Sequence, residues 1–367
     1  MTEDHLTKHH HPAHLPPSLD YGQFAKELAQ AQYSIGLLQG SQGRLQNAMH
    51  LIGPLVAKEA AVSSKIEGTQ SDSEDIYVFD AGGKPAYLDT PVVSNYRMSM
   101  LDAIQALRDG KKLSAHLIKS LHATLLKSVR HKGTLGAFRT QTVWIAEREG
   151  DPIEKALYVP PEHMHVNSYV DNLLQYVEAS DGDINLVKTG VIHHQFEGVH
   201  PFEDGNGRIG RLLIPLILFY KGELSLPIVY SSGYFEARPQ EYRRALRSVD
   251  QTGAFEPWLR FFFNAITEQA KETMSLIEKI QTLHHEVRTK YESSKSPYMS
   301  RFVDFLFDSP VFTIPMMQSK MSLKVRLTAV RLVEQLERDR LVEEVKGQKG
   351  PAGSKLYAFN KLLAVIK

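Results

Sequence analysis

The sequence contains no cysteine. That excludes disulfides, zinc–thiolate sites and cysteine nucleophiles, and it agrees with a reducing compartment, so a cytoplasmic location is expected. Net charge is nearly absent as well. Lys and Arg number 43 against 42 Asp and Glu, leaving +1, which gives no global pull toward nucleic acid or a membrane surface. No apolar leader opens the chain, and no stretch approaches the about 20 apolar residues of a spanning helix. Neither export nor insertion is expected, and no membrane partner. What is present is ordinary for a globular protein: 367 residues, 42% hydrophobic and 23% charged, enough for two or three domains with substantial cores. The start carries His9, His10, His11 and His14 ahead of Pro16-Pro17. Weak metal binding is one reading of these histidines; a disordered tail over 1–20 is the expectation.

The densest chemistry lies in twelve residues, His200-Pro201-Phe202-Glu203-Asp204-Gly205-Asn206-Gly207-Arg208-Ile209-Gly210-Arg211. Gly205 and Gly207 permit a tight turn that presents successive N–H groups. An apolar run to Tyr220 follows and reads as a helix. If that helix begins near Asn206, its free N–H groups and positive dipole end form an anion site. Arg208 and Arg211, spaced i,i+3, share a face in its first turns. Cations are disfavoured there, and a bound polyphosphate would resolve the conflict. Asp204 supplies a hard oxygen suited to Mg²⁺ held jointly with phosphates. His200 stands where a side chain can take a proton from a hydroxyl. The composite reading is transfer from a magnesium nucleotide to a nucleophile.

Around this stretch the pattern is mainly helical. Helices are expected over about 21–46, 54–67 (stopped by Gly68), 92–108, 114–129 (capped by Ser114), 166–178 and 184–196. A short strand is expected at Ile76–Phe79 and a β-hairpin from the stretches 136–145 and 156–161, with its loop at Glu149-Gly150-Asp151. His193 and His194 read as packing residues rather than metal ligands, and His116, His122 and His131 as surface or packing residues. A long helix runs from Phe255 toward Val287 and breaks at Ser293–Pro297. The remaining pattern is three helices and a hairpin, the third helix capped by Ser322 with Leu327, Val330, Val333 and Leu336 inward. That order matches a winged helix-turn-helix. Nine Lys and Arg against five Asp and Glu between Thr313 and Leu356 are a mild excess. Lys324, Arg326, Arg331, Lys346 and Lys349 would serve DNA; the other reading is a protein-contact or packing module. The expected division is a tail 1–20, an N-terminal helical region 21–113, a catalytic domain 114–265, a linker helix 266–296 and the winged-helix domain 297–367.

The twelve residues resemble the signature of the Fic family, H-P-F-x-D/E-G-N-G-R-x-x-R, at every defined position. The resemblance implies a mainly α, Fic-type helical core with a β-hairpin flap, and an enzyme that moves AMP from ATP to a Tyr, Ser or Thr hydroxyl of a protein. It casts His200 as general base and Asp204 as the Mg²⁺ ligand. Asn206 and the Gly205/Gly207 backbone would bind the α-phosphate region, and Arg208 and Arg211 the outer phosphates. Ser63-Ser64-Lys65-Ile66-Glu67-Gly68 resembles the family's inhibitory motif, in which the glutamate, here Glu67, pairs with the second signature arginine, here Arg211. The hairpin resembles the flap that holds a target segment by strand addition, which points to Thr142, Val143, Trp144 and Ile145; Trp144 fits either a target contact or packing. The segment 231–242 resembles the adenosine side of the pocket, with Tyr242 and then Tyr234 as the aromatic. Gly207 stands where kinase relatives deviate, which favours AMP over phosphate transfer. Self-modification, AMP removal aided by Glu67, and a DNA-binding regulator that uses the Fic domain as sensor remain open.

Overall fold

The computed structural model describes residues 9–42, 49–148, 150–180, 182–294 and 296–367. Residues 1–8 of the expected tail, 43–46 of the first expected helix, Glu149 of the hairpin loop and Lys295 of the expected break lie outside these. The fold is 62% helix and 3% strand. In chain order the elements are α1 Ala25–Gln42, α2 Met49–Lys65, α3 Ser73–Asp80, α4 Thr90–Arg108, α5 Ala115–Leu125, α6 Val166–Glu178, α7 Asn185–Val199 and α8 Asn206–Tyr220. They continue with α9 Ser232–Ala237, α10 Pro239–Thr252, α11 Glu256–Lys290, α12 Met299–Asp308, β1 Val311–Thr313, α13 Ile314–Lys320, α14 Arg326–Arg338, β2 Glu343–Glu344, β3 Leu356–Ala358 and α15 Asn360–Ile366. Among the described residues, no helix is long and apolar enough to cross a membrane.

Contacts divide the chain into two units. One comprises the chain up to Gly36 with Met98–Glu268, the other Leu37–Arg97 with Gln269–Lys367. In the first, α7 and α8 form the central pair, flanked by α6 and α5. Both central helices are buried nearly all round, α8 with a largely apolar surface and α7 with several polar side chains as well. α7 buries residues from Leu186 to Val199, and α8 from Asn206 to Leu218. They approach closely at Gly210, where a Cβ would meet the Glu197 carboxylate and the Phe196 ring. α6 is amphipathic, burying Val166, Tyr169, Val170, Leu173, Tyr176 and Val177. Its C-terminal carbonyls are met by buried Lys188 of α7, whose Nζ donates to Tyr176 at 3.2 Å and Ala179 at 2.5 Å. That places a cation at a negative helix end. α11 docks on α7 through Trp258, whose indole N–H donates to the Gly190 carbonyl at 2.8 Å. Ser114 caps α5 as expected, accepting from Leu117 N–H, and the stripe Leu117, Ile118, Leu121 and Leu125 is buried.

The second unit holds a three-stranded antiparallel sheet, order β1-β3-β2, with Phe312 opposite Tyr357 and Glu343 opposite Ala358. α12 packs along α2, while α3 and α15 complete the surroundings of this small sheet and its helices. The C-terminal module therefore shares its core with α2 and α3 rather than closing on itself. Its loop 346–353 is held against the α3–α4 connection. Lys84 N–H donates to Gln348 at 3.1 Å, and a Cβ on Gly82 would overlap Pro351.

Several local expectations give way. Residues 9–20 are not a free tail: His10 N–H donates to the Val159 carbonyl at 2.8 Å, and Leu15 and Asn172 exchange two hydrogen bonds. Ile76–Phe79 is not a strand. Asp72 and Asp75 form a capping box that starts α3 and overrides the β-propensity of Ile, Tyr, Val and Phe. Among the described residues the hairpin shrinks to one bridge, Ile145 with Tyr158. Pro152, Pro160 and Pro161 lack donors, and a 3₁₀ turn at Ile153–Lys155 interrupts the return strand. Ser322 does not cap α14, which begins at Arg326 and buries Ala329, Leu332, Val333 and Leu336 while Leu327 is exposed. β1 and α15 had no counterpart in the sequence reading.

Candidate active site

The loop between α7 and α8 carries the signature. His200 ends α7 in the left-handed region, φ 49°, ψ 61°, its N–H on the Phe196 carbonyl at 3.0 Å. Non-glycine residues are uncommon there, so neighbours must hold it. Arg139, 3% exposed, donates from Nε to the His200 carbonyl at 2.9 Å and from Nη2 to the Val199 carbonyl at 3.2 Å. Its own N–H meets the Pro201 carbonyl at 2.9 Å. The His200 ring has Nδ1 3.2 Å from the Glu197 carbonyl. A carbonyl only accepts, so Nδ1 carries the hydrogen, and in the neutral ring the lone pair is then on Nε2. That is the tautomer a general base requires.

The floor of the loop is aromatic. Phe202, fully buried, stacks on His122 with ring centroids 3.9 Å apart and planes within 3°. His122 accepts the Gly136 N–H at Nδ1 and donates from Nε2 to the Asp204 carbonyl, each at 3.1 Å. It is thus one fixed neutral tautomer, and burial pulls its pKa down to about 4. Asn206 closes the loop: Oδ1 accepts the Phe202 N–H and Nδ2 donates to the Phe202 carbonyl, both at 2.8 Å. Gly205 takes φ 80°, a left-handed turn that only glycine adopts at little cost, and a Cβ there would press on Leu125.

α8 then starts after Gly205, an N-cap without a side chain to occupy the first N–H groups, so these donors suit an anion. Arg208 is buried, with Nη2 3.3 Å from Asp204 Oδ1 and Nε without a hydrogen-bond partner. A buried unsatisfied donor costs about 1–3 kcal/mol, a penalty that a bound phosphate would remove. Arg211, also buried, follows one turn on. The structure thus gathers His200, Asp204, Gly205, Asn206, Gly207 and Arg208 on one loop and helix start. Among the described residues no cluster of three His, Asp or Glu could hold a metal alone. The single Asp204 carboxylate, one-third exposed, fits a Mg²⁺ ion that takes its other ligands from phosphate and water.

Other expected residues are placed differently. Tyr242 is buried in the core. Its hydroxyl donates to His193 Nε2 at 2.7 Å, and its ring stacks on Phe235 at 4.3 Å. His193 is oriented for this because its Nδ1–H donates to the Gly210 carbonyl at 3.1 Å. Tyr234 is likewise buried, with Arg238 over its ring at 4.0 Å and Phe261 at its edge. Ser63 is buried in the last turn of α2. Glu67 is exposed and lies past the helix end, in a turn where its N–H meets the Ser64 carbonyl at 2.9 Å. Gly68, at φ 90°, follows it. On the flap, Thr142 is exposed, Val143 and Ile145 are half-buried, and Trp144 is 40% exposed with its indole N–H on the Asp151 carbonyl at 2.8 Å.

His193 and His122 make a testable contribution to stability. Burial lowers His193 to about 3 and His122 to about 4, from 6.5. Below pH 6.5 the unfolded chain binds protons that the folded chain does not, so stability is full above that pH and falls as the pH drops toward 4. The loss is at most about 1.4 kcal/mol per pH unit per histidine. Urea unfolding between pH 7 and 4.5 should show this fall, with a shallower slope in His193→Gln. An unchanged slope in that variant would refute the assignment.

Residues 112–218 match the model of the Fic/DOC family, and residues 25–105 that of the Fic/DOC family N-terminal region. A Fido domain-containing protein of Dictyostelium discoideum is 43% identical over 118 residues, which are 32% of this chain and 72% of that protein. The chain belongs to the Fic/DOC family. A probable protein adenylyltransferase of Aquifex aeolicus is 31% identical over 97 residues, 26% of this chain, and the match spans only 30% of that relative's length. A Fic family protein of Desulfovibrio desulfuricans G20 shares the fold over 94% of this chain and 98% of its own, with TM-score 0.59 at 18% identity. Fic-1 of C. elegans shares it over 69% of this chain and 73% of its own, with TM-score 0.52 at 18% identity. Within the matched Fic region, the sequence alone gives Arg139 no role and His122 only a surface or packing one. Arg139 was hidden in a stretch read only as strand, and one isolated histidine on a helix gives no signal of what it stacks on.

Proposed function

We propose that this Fic chain is a protein adenylyltransferase that moves AMP from ATP to a hydroxyl of a protein. The observation that carries the reading is one loop bearing both halves of the chemistry. It holds a histidine with its lone pair on Nε2 and an uncapped helix start with a buried arginine whose Nε lacks a partner. The target hydroxyl oxygen would bond to the α-phosphorus as the bond from that phosphorus to the bridging oxygen breaks. Pyrophosphate leaves, and the hydroxyl proton goes to His200 Nε2. The N–H groups of α8 and Arg208 would hold the phosphates in line, with Arg211 taking an outer phosphate. Asp204 would hold Mg²⁺, which when bound offsets phosphate charge. Asn206 keeps the loop in shape through Phe202 and contributes to the phosphate side through its backbone N–H. The flap residues Thr142, Val143, Trp144 and Ile145 would receive the target segment.

The inhibitory role of Glu67 rests on its motif and on chemistry: a carboxylate on Arg211 competes with phosphate for one guanidinium fork. For the C-terminal module, a winged helix fits the order of helices and strands. Its loop 346–353 is occupied by the α3–α4 connection, which favours an internal packing role over DNA binding.

AMP transfer and phosphate transfer separate by label. Incubated with ATP and heat-inactivated lysate protein, the Glu67→Gly chain should deposit label from the α-phosphate on protein, and none from the γ-phosphate. Transfer of the γ label would replace this reading with a kinase.

A further inference from the structure

Arg139 reaches beyond the catalytic loop. Besides the Val199 and His200 carbonyls, its guanidinium donates from Nη1 to the Gln141 carbonyl at 3.1 Å and from Nη2 to the Pro161 carbonyl at 2.5 Å. Gln141 and Pro161 are the two feet of the flap, bracketing the bridge between Ile145 and Tyr158. With the Pro201 carbonyl on its backbone N–H, one residue binds three consecutive carbonyls of the base-bearing loop and both ends of the target-binding flap. Its hydrogen-bond acceptors are all carbonyls, so what it supplies is geometry rather than an ion pair. Burial pulls its pKa down to about 10, and it stays charged at neutral pH. The planar fork suits this task; a lysine ammonium, a single point donor, does not span the same carbonyls.

The tie bears directly on His200. The left-handed backbone at His200 is unfavourable for a residue with a Cβ, and it sets the ring so that Nδ1–H meets the Glu197 carbonyl. Released from Arg139, that backbone relaxes and the ring loses its single tautomer. We propose that Arg139 is the positioning residue for His200, coupling the flap's hold on a target hydroxyl to the orientation of the base. The part of this that concerns catalysis rests on the adenylyltransferase reading above; the tautomer part does not.

The test uses the full chain carrying Glu67→Gly, with and without Arg139→Lys, and with Arg139→Gln as the stronger variant. Imidazole ¹⁵N spectra of His200 report its tautomer, assigned by loss of the signal in His200→Ala. Incorporation from α-labelled ATP, summed over the chain and added lysate protein, reports rate, and calorimetry reports ATP affinity. With Arg139 present, His200 should show the Nδ1–H tautomer. In a folded Arg139→Lys chain both tautomers should appear. The rate should fall about a hundredfold, the cost of a misplacement near 1 Å, while ATP affinity is retained. A single tautomer and an undiminished rate in Arg139→Lys would overturn the proposal, as would a change in either alone when the parent is active. If the parent transfers no AMP, the adenylyltransferase reading falls, and the tautomer alone decides the role of Arg139.

Discussion

His200→Ala, made in the Glu67→Gly chain, is expected to lower AMP incorporation by about three orders of magnitude while ATP still binds. General-base catalysis contributes roughly 10²–10⁴-fold, and the neutral His200 ring that donates from Nδ1 has Nε2 as its basic nitrogen. Its Nδ1–H is committed to the Glu197 carbonyl, so alanine removes the acceptor without exposing a buried charge. The loop should survive the change. Asn206 still spans Phe202, Phe202 still stacks on His122, and Arg139 binds backbone carbonyls that alanine also has. ATP affinity should survive as well, because the phosphates are assigned to the start of α8 and its arginines. Label from the α-phosphate and calorimetry with ATP check the two halves. Incorporation within tenfold of the parent would remove His200 from the mechanism.

Glu67→Gly alone is expected to raise AMP incorporation by about 10–100-fold. A charged hydrogen bond is worth about 1.5–3 kcal/mol, and each 1.36 kcal/mol is a factor of ten in rate. That is the gain if a Glu67 carboxylate competes with phosphate for Arg211. The substitution should be gentle on the fold. Glu67 is exposed and sits in the turn after α2, next to Gly68, and not within the helix. Surface changes of this kind usually shift stability by less than about 0.5 kcal/mol. Glu67→Gln, which keeps the shape and loses the charge, should give part of the gain. Rates measured with α-labelled ATP for the parent and both variants decide it. No gain in either variant would sink the inhibitory assignment, and a gain in ATP-independent background would not count.

The signature loop was legible because its chemistry is local. Histidine, aspartate, glycines and arginines lie within twelve residues, and the helix that follows fixes which backbone donors are free. The helices of the core were legible for the same reason: Ser114 beside the stripe Leu117, Ile118, Leu121 and Leu125 writes its own cap and face. Elsewhere, local propensity misled. Ile76-Tyr77-Val78-Phe79 favours a strand residue by residue, yet the Asp72–Asp75 capping box lies just upstream and α3 forms. Tyr242 was a reasonable aromatic for a nucleotide, and the sequence has no means of showing that its hydroxyl points at His193.

The sequence by itself determined the family and the predominance of helix, because the signature and the helical stripes are carried by residues within a turn or two of one another. Only the tertiary structure decided that His200 turns Nδ1 to the Glu197 carbonyl, that Asn206 and His122 brace the loop, and that Arg139 gathers loop and flap on one guanidinium. It also decided that α2 and α3 share a core with the last seventy residues. These are contacts between segments up to hundreds of residues apart. They are set by which buried donor finds which carbonyl once the helices have packed, and no local pattern of side chains encodes that pairing.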